Sequence, residues 1–343
     1  VGEVVAGERR QADLGASGLG RVTIATATDT VSITEDGNHP FGLKLSTLST
    51  SSADITLTAP TGTPPDTLSV QFTTGSLPTA GETVTVSFTL PDGSEEAVVL
   101  TATDSITPEP GEFTIGANGP TTAANFNVAL TDAIEDLAGT KLMAASTYAA
   151  AENFFNGQGE TVMRVDGPPF DTATALIAGT ATNTVFWYRG EDSTDSRATV
   201  NAKVDEGTTV NYGVQANESG LVRLIQTLAA MAEVSYPSGD DTSPGRFDAM
   251  ASRQIERLSI SNANSQGSIG VISVELSLAQ TTMDYAGERQ QSHRVQLDGM
   301  LASIETIPPE EVSMEILALK TRLEASFEAT SLIAQLSLVN YLR

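Results

Sequence analysis

The first third of the chain alternates apolar and polar residues, a pattern that predicts β-strands. Val84, Val86 and Phe88 alternate with threonine and serine, and residues 97–103 return after a Pro-Asp-Gly turn at 91–93. Because successive side chains of a strand point to opposite faces, two such runs joined by a tight turn indicate a β-hairpin. Weaker runs predict further strands at residues 22–25, 31–34, 41–48, 55–58, 68–73 and 113–115.

A helical pattern follows these strands, with Thr121 as its predicted N-cap and Gly139 as its predicted end. Its apolar face consists of Phe126, Leu130, Ile134 and Leu137. Residues 161–214 then predict a second, smaller set of antiparallel strands. The bulkiest cluster of the chain, Val-Phe-Trp-Tyr at 185–188, belongs to this segment.

From residue 217 onward the pattern is helical almost to the end of the sequence. The longest predicted helix spans residues 269–304. Its pattern has a period of 3.5 residues, which is typical of coiled coils. Eleven positions follow this period in steps of three and four, and nine of them are apolar, the exceptions being Gln290 and His293. They are Ile269, Ile272, Leu276, Ala279, Met283, Ala286, Gln290, His293, Leu297, Met300 and Ile304.

Two prolines at 308–309 separate this helix from a last one, which begins with Glu310 and Glu311 at its positive end. An amphipathic helix of this kind needs a partner to cover its apolar side chains. These side chains are Val312, Ile316, Leu319, Leu323, Phe327, Leu332, Leu336, Val339 and Leu342.

Composition narrows the classes of partner. The 343 residues include 18 basic and 43 acidic side chains, for a net charge of −25. Nucleic acids and anionic membranes both require a cationic surface, so neither is an expected partner. No apolar run reaches the roughly 18 residues of a membrane-spanning helix. Cysteine is absent, which excludes disulfides and thiolate metal sites.

The candidate chemistry is sparse. His39 lies in a turn-like segment and His293 at a position of the coiled-coil period, so neither predicts a nucleophile–base pair. The glycine-rich segment 15–20 has no predicted strand before it and no Gly-Lys-Ser/Thr ending, which favours a flexible connector over a phosphate loop. Asp240 and Asp241 lack the spacing of a calcium loop. We therefore expect no catalytic residue, cofactor or metal site, and no enzyme.

The arrangement resembles the flagellin superfamily, which includes filament flagellin and the hook–filament junction proteins. The similarity lies in residues 211–218, Asn-Tyr-Gly-Val-Gln-Ala-Asn-Glu, which lead from a β-hairpin into helices, and in residues 335–342, Gln-Leu-Ser-Leu-Val-Asn-Tyr-Leu, at the end of the chain. Residues 41–155 also look like an insert of alphaproteobacterial flagellin-like proteins.

The resemblance implies an α+β fold in which a long antiparallel α-helical coiled-coil stalk carries inserted, β-rich antiparallel domains. Residues 1–20 are expected to be a linker or the remnant of an N-terminal region, because the N-terminal helix of the family has no counterpart before Val1. Residues 21–156 form the expected solvent-facing α+β insert, residues 157–216 a small antiparallel β segment, and residues 217–343 the helical coiled-coil assembly region.

The function implied is that of a structural subunit of the bacterial flagellum, in the filament or at the hook–filament junction. Its partners would be copies of itself, neighbouring flagellar axial proteins and an export chaperone, and it would be extracellular, exported without a cleaved signal peptide. The alternatives are a flagellin-homologous surface protein or adhesin whose insert recognises a polysaccharide and, third, a hydrolase. The expected assembly interface, termed the helix seam below, comprises Ile269, Ile272, Leu276, Met283, Leu297, Met300, Ile304, Ile316, Leu319, Leu323, Leu332, Leu336, Val339 and Leu342.

Overall fold

The computed structural model describes residues 2–156, 161–259, 265–306 and 308–341. The chain is a mixed α+β protein with several antiparallel sheets and long C-terminal helices. It divides into two units: unit 1 contains residues 1–200 and 212–275, and unit 2 contains residues 201–211 and 276–343.

The described helices are α1 (Gly2–Leu14), α2 (Gly119–Leu137), α3 (Met143–Phe154), α4 (Ser219–Glu233), α5 (Ser243–Arg257), α6 (Ile269–Glu305) and α7 (Pro309–Tyr341). The strands are β1 (Val22–Ala27), β2 (Thr30–Glu35), β3 (Lys44–Thr50), β4 (Ile55–Thr58), β5 (Thr67–Phe72), β6 (Thr83–Thr89), β7 (Glu95–Thr103), β8 (Glu112–Thr114), β9 (Met163–Val165), β10 (Leu176–Ala178), β11 (Asn201–Asp205) and β12 (Thr208–Asn211).

Two four-stranded sheets form the β part of unit 1, in the orders β1-β2-β5-β4 and β3-β6-β7-β8. Their pairings are antiparallel except for β7 with β8. The predicted hairpin is confirmed as β6–β7, with Val86 opposite Val98. Its turn is held by Asp92, whose carboxylate accepts a hydrogen bond from the Ser94 amide at 3.2 Å. Gly93 adopts a φ of 80°, which glycine tolerates without a Cβ clash.

Helix α2 closes the core against the sheets. The buried rings of Phe72, Phe113 and Phe126 meet with centroids 5.1–5.8 Å apart. The helix begins earlier than predicted, because the N-cap is Asn118 rather than Thr121. Asn118 Oδ1 accepts a hydrogen bond from the Thr121 amide at 2.9 Å, which satisfies one of the free donors at a helix start.

The predicted end of this helix at Gly139 is wrong. The chain continues through a wider π-helical turn, Ala138–Leu142, directly into α3. Two contacts favour this continuation: Ala138 and Leu142 are buried in the core, and Arg246 Nε donates to the Gly139 carbonyl oxygen at 3.1 Å. A glycine therefore does not end a helix when the residues after it have core positions to fill.

The interpretation of residues 1–20 as a linker is also wrong. Residues 2–14 form α1, which buries Val5, Ala6 and Ala12 and pairs Glu8 with Arg164 at 2.8 Å. The glycine-rich segment that follows is a helix end, since the amide of Gly20 donates to the Leu14 carbonyl oxygen at 3.0 Å.

Gly20 has its own reason to be glycine. Its φ is 64°, and an added Cβ would lie 2.8 Å from the Leu142 side chain and 2.9 Å from that of Leu43. The segment is therefore packed against the core rather than serving as a flexible connector.

No boundary separates residues 21–156 from the helices that follow them. Tyr148 and Ala144 of α3 share one buried cluster with Ala230 of α4 and Met250 of α5. Tyr148 Oη donates to the Met250 carbonyl oxygen at 3.3 Å, and burial raises the pKa of this phenol to about 12. The expected insert and the first part of the expected assembly region thus form one folding unit.

An ion pair ties the β6–β7 hairpin to α5. Arg253 Nε lies 2.8 Å from Asp92 Oδ2, and both side chains are more than nine-tenths buried. Burial opposes ionisation of Asp92, but Arg253 and hydrogen bonds from Ser94 outweigh it, so the pKa of Asp92 lies below its ordinary value. The turn is therefore held in place by a charge contact as well as by its backbone.

The second β segment is smaller than predicted. Strands β9 and β10 form one two-stranded sheet, β11 and β12 form another, and residues 185–188 form no strand. The Trp187 ring packs against Phe155 with centroids 5.5 Å apart, and its Nε1 donates to the Asn156 carbonyl oxygen at 3.0 Å. These aromatic residues serve as packing groups beside α3.

Unit 2 combines the β11–β12 hairpin with the second part of α6 and with α7. The hairpin turn contacts α6 through an ion pair between Asp205 and Arg289, and Gln290 Nε2 donates to the Val204 carbonyl oxygen at 2.6 Å.

We expect Phe126→Ala to lower the free energy of unfolding by about 3–5 kcal/mol, because it leaves a cavity among three packed rings. Val128→Ala on the same helix is the control, since that side chain is exposed, and it should change stability by less than about 0.5 kcal/mol. Urea denaturation followed by circular dichroism measures both values. Equal losses would contradict this description of the core.

We expect Arg253→Met to lower the free energy of unfolding at neutral pH by up to about 3–5 kcal/mol, because it removes the nearer cation of buried Asp92 and leaves only Arg257, at 3.9 Å. The pKa of Asp92 is lower in the folded protein than in the unfolded chain. Ionised Asp92 therefore stabilises the wild-type fold above the ordinary carboxyl pKa of about 3.9, and this contribution is lost as the pH falls through the pKa of the folded protein.

In the variant the unpaired carboxylate gains stability on protonation, so the difference from wild type should shrink as pH falls. Adding Asp92→Asn to Arg253→Met removes the buried charge and should restore most of the stability at neutral pH. Denaturant titrations at a series of pH values test both statements, and a difference that grows in acid would contradict them.

Candidate functional site

The helix seam begins on α6, where its first half is partly covered. Ile272 is buried, as are Ala279 and Ala286 at the same period, whereas Leu276 and Met283 are half-buried. Ile269 at the start of the helix is exposed.

The second half of the α6 seam is bare. Leu297, Met300 and Ile304 are 61–78% exposed, and every described side chain from residue 287 to residue 306 is exposed. The 3.5-residue period predicts a helix partner along this whole length. In the described residues the cover ends near residue 286, which leaves the later seam positions in water.

Helix α7 exposes all of its described side chains, those of residues 309–336. The predicted seam positions Ile316, Leu319, Leu323, Leu332 and Leu336 are 55–64% exposed. The side chain of Val339 and the whole of Leu342 lie outside the described residues.

The predicted antiparallel coiled-coil stalk is therefore not confirmed, although both helices are present and long. In the described part of the chain, the later seam of α6 and the seam of α7 do not bury each other. A 3.5-residue period identifies a face that is able to pack, but it does not identify the helix that covers it.

The apolar stripe of α7 is not continuous. Val312, Ile316, Leu319 and Leu323 follow steps of four, three and four and share one side of the helix, and Phe327 is the last residue of this stripe. The next large apolar seam residue, Leu332, comes five residues later, which at about 100° per residue moves the stripe about 140° around the helix. The two halves of α7 thus present their seam residues on different sides.

Helix α6 also has apolar side chains away from its seam. Leu278 and Tyr285 are exposed, and each stands one residue before a seam position, so they lie about 100° around the helix from Ala279 and Ala286. Both helices therefore expose apolar groups on more than one side, and one neighbouring helix is insufficient to cover either of them.

Charged groups occupy some of the remaining positions of these helices. Lys320 lies 3.9 Å from Glu324 on α7, and Arg294 lies 4.0 Å from Asp298 on α6. All four side chains are exposed, so each pair contributes at most about 0.5 kcal/mol. The charges keep the helices soluble without covering the apolar stripes.

The turn interpretation of His39 is incomplete, because its side chain is buried. His39 Nε2 lies 2.6 Å from Asp36 Oδ1 and 2.9 Å from Arg21 Nη2. Burial, followed by the positive charge of Lys44, lowers the pKa of His39. Arg21 in turn donates to the Asp171 carbonyl oxygen at 2.8 Å, so this cluster cross-links distant parts of unit 1. His293, by contrast, is exposed on α6.

Among the described residues, no three His, Asp or Glu side chains are grouped so that they could hold a metal ion. None of the described helices has both the length and the apolarity required to cross a membrane.

Comparison of the chain with protein-family models, curated proteins and solved structures yields no match. The candidate functional site is accordingly the set of exposed apolar side chains on α6 and α7.

Two positions of the same predicted seam should respond differently to a charge. Ile272→Glu places an unpaired carboxylate in a buried site and should lower the free energy of unfolding by more than about 3 kcal/mol. Leu297→Glu is the matched control, because the side chain is 64% exposed, and it should change stability by less than about 0.5 kcal/mol. Thermal melting of dilute protein measures both, and a large loss in Leu297→Glu would show that the seam is covered there.

Proposed function

We propose that this chain is a structural subunit of the bacterial flagellum, a flagellin-like filament protein or a hook–filament junction protein, which self-assembles through its terminal helices. The observation that carries the proposal is the exposed apolar surface of α6 and α7. The resemblance of residues 211–218 and 335–342 to the flagellin superfamily supplies the identity of the assembly.

The energetics of this surface favour association. Burying one leucine or isoleucine side chain contributes about 1.5–3 kcal/mol, whereas association costs an estimated 4–15 kcal/mol of translational and rotational freedom. The five exposed seam residues of α7 alone bring the gain into the range of that cost. Exposed apolar surface on this scale marks an interaction site in proteins.

The distribution of apolar residues supports several neighbours rather than a single dimer partner. The seam of α7 changes sides between Phe327 and Leu332, and α6 exposes Leu278 and Tyr285 beside its seam. A helix inside an ordered array meets neighbours on more than one side, and copies of this chain together with other axial proteins would supply them. The assembly would be extracellular, with an export chaperone covering the helices beforehand.

Charge supports contact through the helices rather than through the acidic sheets. Residues 45–140 contain twelve acidic and no basic side chains, so copies of this region repel one another.

The alternative, an adhesin whose insert recognises a polysaccharide, has no specific observation in its favour. Sugars stack on exposed aromatic faces, and the four aromatic residues of segment 21–116 are buried. These are Phe41, Phe72, Phe88 and Phe113, each at most 1% exposed.

The proposal predicts that Leu319→Glu combined with Leu323→Glu prevents assembly of the full chain. Each change places a charge in the apolar contact, whereas both side chains are exposed in the unassembled subunit, so its thermal melting should stay within a few degrees of wild type. Lys320→Gln, between the two positions, is the control that alters the polar side of the helix. Sedimentation velocity over a range of concentrations should show polymers for wild type and control only.

The flagellar part of the proposal needs its own measurement. In cells that produce this protein, wild type and Lys320→Gln should occur in sheared flagellar fractions, and the double variant should be absent from them. A wild-type protein that polymerises but never enters the flagellum would retain the assembly function and refute its flagellar location.

A further inference from the structure

Unit 1 contains a polar cavity of about 370 Å³ that the proposed assembly function does not use. Three segments line it: residues 192–197, residues 215–219 and part of residues 266–275. All three belong to the same unit.

Two glycines bring these segments close together. The Gly213 amide donates to the Arg197 carbonyl oxygen at 3.0 Å, and an added Cβ at Gly213 would lie 2.2 Å from Thr199 Oγ1. The Gly220 amide donates to the Gly267 carbonyl oxygen at 2.9 Å, and an added Cβ at Gly220 would also clash with backbone. Larger residues at these two positions would separate the walls of the cavity.

The charged groups of the cavity are fixed by one another. The Glu218 carboxylate accepts a hydrogen bond from the backbone amide of Gln215 at 2.9 Å and forms an ion pair with Arg197 Nη2. Arg197 Nε lies 3.1 Å from a carboxylate oxygen of Glu275. The two carboxylates thus share the Nε–Nη2 edge of the guanidinium and fix its position.

The two amide side chains are oriented in the same way. Gln215 Oε1 accepts hydrogen bonds from the Ser193 amide at 3.3 Å and from Ser196 Oγ at 3.1 Å. Asn217 Nδ2 donates to Asp192 Oδ1 at 2.9 Å. These partners decide which end of each amide is oxygen and which is nitrogen.

The other atoms of the same three side chains have no partner among the described residues. Arg197 Nη1, Gln215 Nε2 and Asn217 Oδ1 are buried and make no hydrogen bond. Gln215 is 5% exposed and Asn217 is 8% exposed, and both line the cavity. Because buried polar groups in native proteins are almost always paired with protein, water or ligand, a ligand that pairs with all three atoms has to bring two acceptors and one donor.

The charges restrict what the cavity accepts. Asp192, Asp195, Glu218 and Glu275 line it together with a single cation, Arg197, so the site disfavours an anion. A hydroxyl group donates and accepts at the same oxygen and therefore satisfies both kinds of free group without bringing charge. The volume also falls within the range of small-molecule sites.

We propose that this cavity binds a small, neutral, hydroxyl-rich ligand, a monosaccharide or polyol. Its hydroxyl oxygens accept hydrogen bonds from Arg197 Nη1 and Gln215 Nε2, and one hydroxyl donates to Asn217 Oδ1. The carboxylates of Asp192 and Asp195 accept from further hydroxyls at the rim. All of the lining residues belong to unit 1, although Glu275 is part of α6.

The test uses the full chain with D-glucose and myo-inositol as probes, followed by saturation-transfer NMR and titration calorimetry at millimolar concentrations. The informative variant is Gln215→Glu, which keeps the oxygen that Ser193 and Ser196 require and replaces only the free nitrogen. It should weaken binding by about tenfold or more, since one hydrogen bond is lost and a charge is added. Gln291→Glu, an exposed position on α6, is the matched control and should bind as wild type does.

Saturable binding to a probe that Gln215→Glu weakens, with unchanged melting, supports the site. If Gln215→Glu melts lower than wild type, Gln215→Met takes its place, because it removes the polar atoms without adding charge. Equal binding by wild type and both Gln215 variants would place the ligand elsewhere and overturn the proposal. Binding of L-alanine without either hydroxylated probe would overturn the ligand class. The absence of binding by any probe would show that the cavity holds only water, and would overturn the proposal.

Discussion

Burial of helix α3 on every side is the constraint on which unit 1 depends. Its buried residues include Ala144, Ala145, Thr147, Tyr148 and Ala151, so no face of the helix is left for solvent. The small side chains allow α1, α4 and α5 to approach closely, and Tyr148 fills the space that alanine leaves on the α5 side. The π-helical turn Ala138–Leu142 joins α2 to α3, and its residues Ala138 and Leu142 are buried in the core that α2 forms with the sheets. Because all these elements meet on one helix, removing residues 22–153 would take away the common support of unit 1 rather than a separable domain.

The same burial rule accounts for the opposite condition of α6 and α7. A helix whose apolar residues cover more than one side is stable only when other elements surround it, as they surround α3. Among the described residues of unit 2, Ala279 and Ala286 of α6 are buried, and the turn of the β11–β12 hairpin contacts the same helix at Gln290. Beyond that point α6 and α7 keep the apolar side chains of buried helices, and no element of the described residues buries them. This mismatch between composition and environment is the physical argument for assembly.

The sequence predicts the elements better than their partners. Strand alternation locates the β6–β7 hairpin, and the 3.5-residue period locates α6, because both signals are local. The sequence gives only a weak signal for α1, because Val5, Ala6 and Ala12 form a weak apolar pattern, although Gly15 with its positive φ is typical of a helix end. The coiled coil is not confirmed, because a 3.5-residue period does not identify the partner of a helix. The polar cavity was not predictable, because Arg197, Gln215 and Glu275 meet only through non-local packing.

Ion pairs of arginine hold the acidic chain together inside unit 1. They also bear on where two copies are able to make contact. Arg164 pairs with Glu8 across 156 residues of sequence, Arg253 with Asp92 across 161, and Arg257 with Glu152 across 105. These cations hold distant elements of unit 1 together and are therefore not free to neutralise its surface. The whole chain has 43 acidic against 18 basic side chains, so its net charge is strongly negative and the charged surfaces of two copies repel one another. Association is then least opposed where apolar side chains outnumber charges, on α6 and α7. Repulsion between the acidic surfaces and the exposed apolar side chains of α6 and α7 thus both favour association of copies through these two helices.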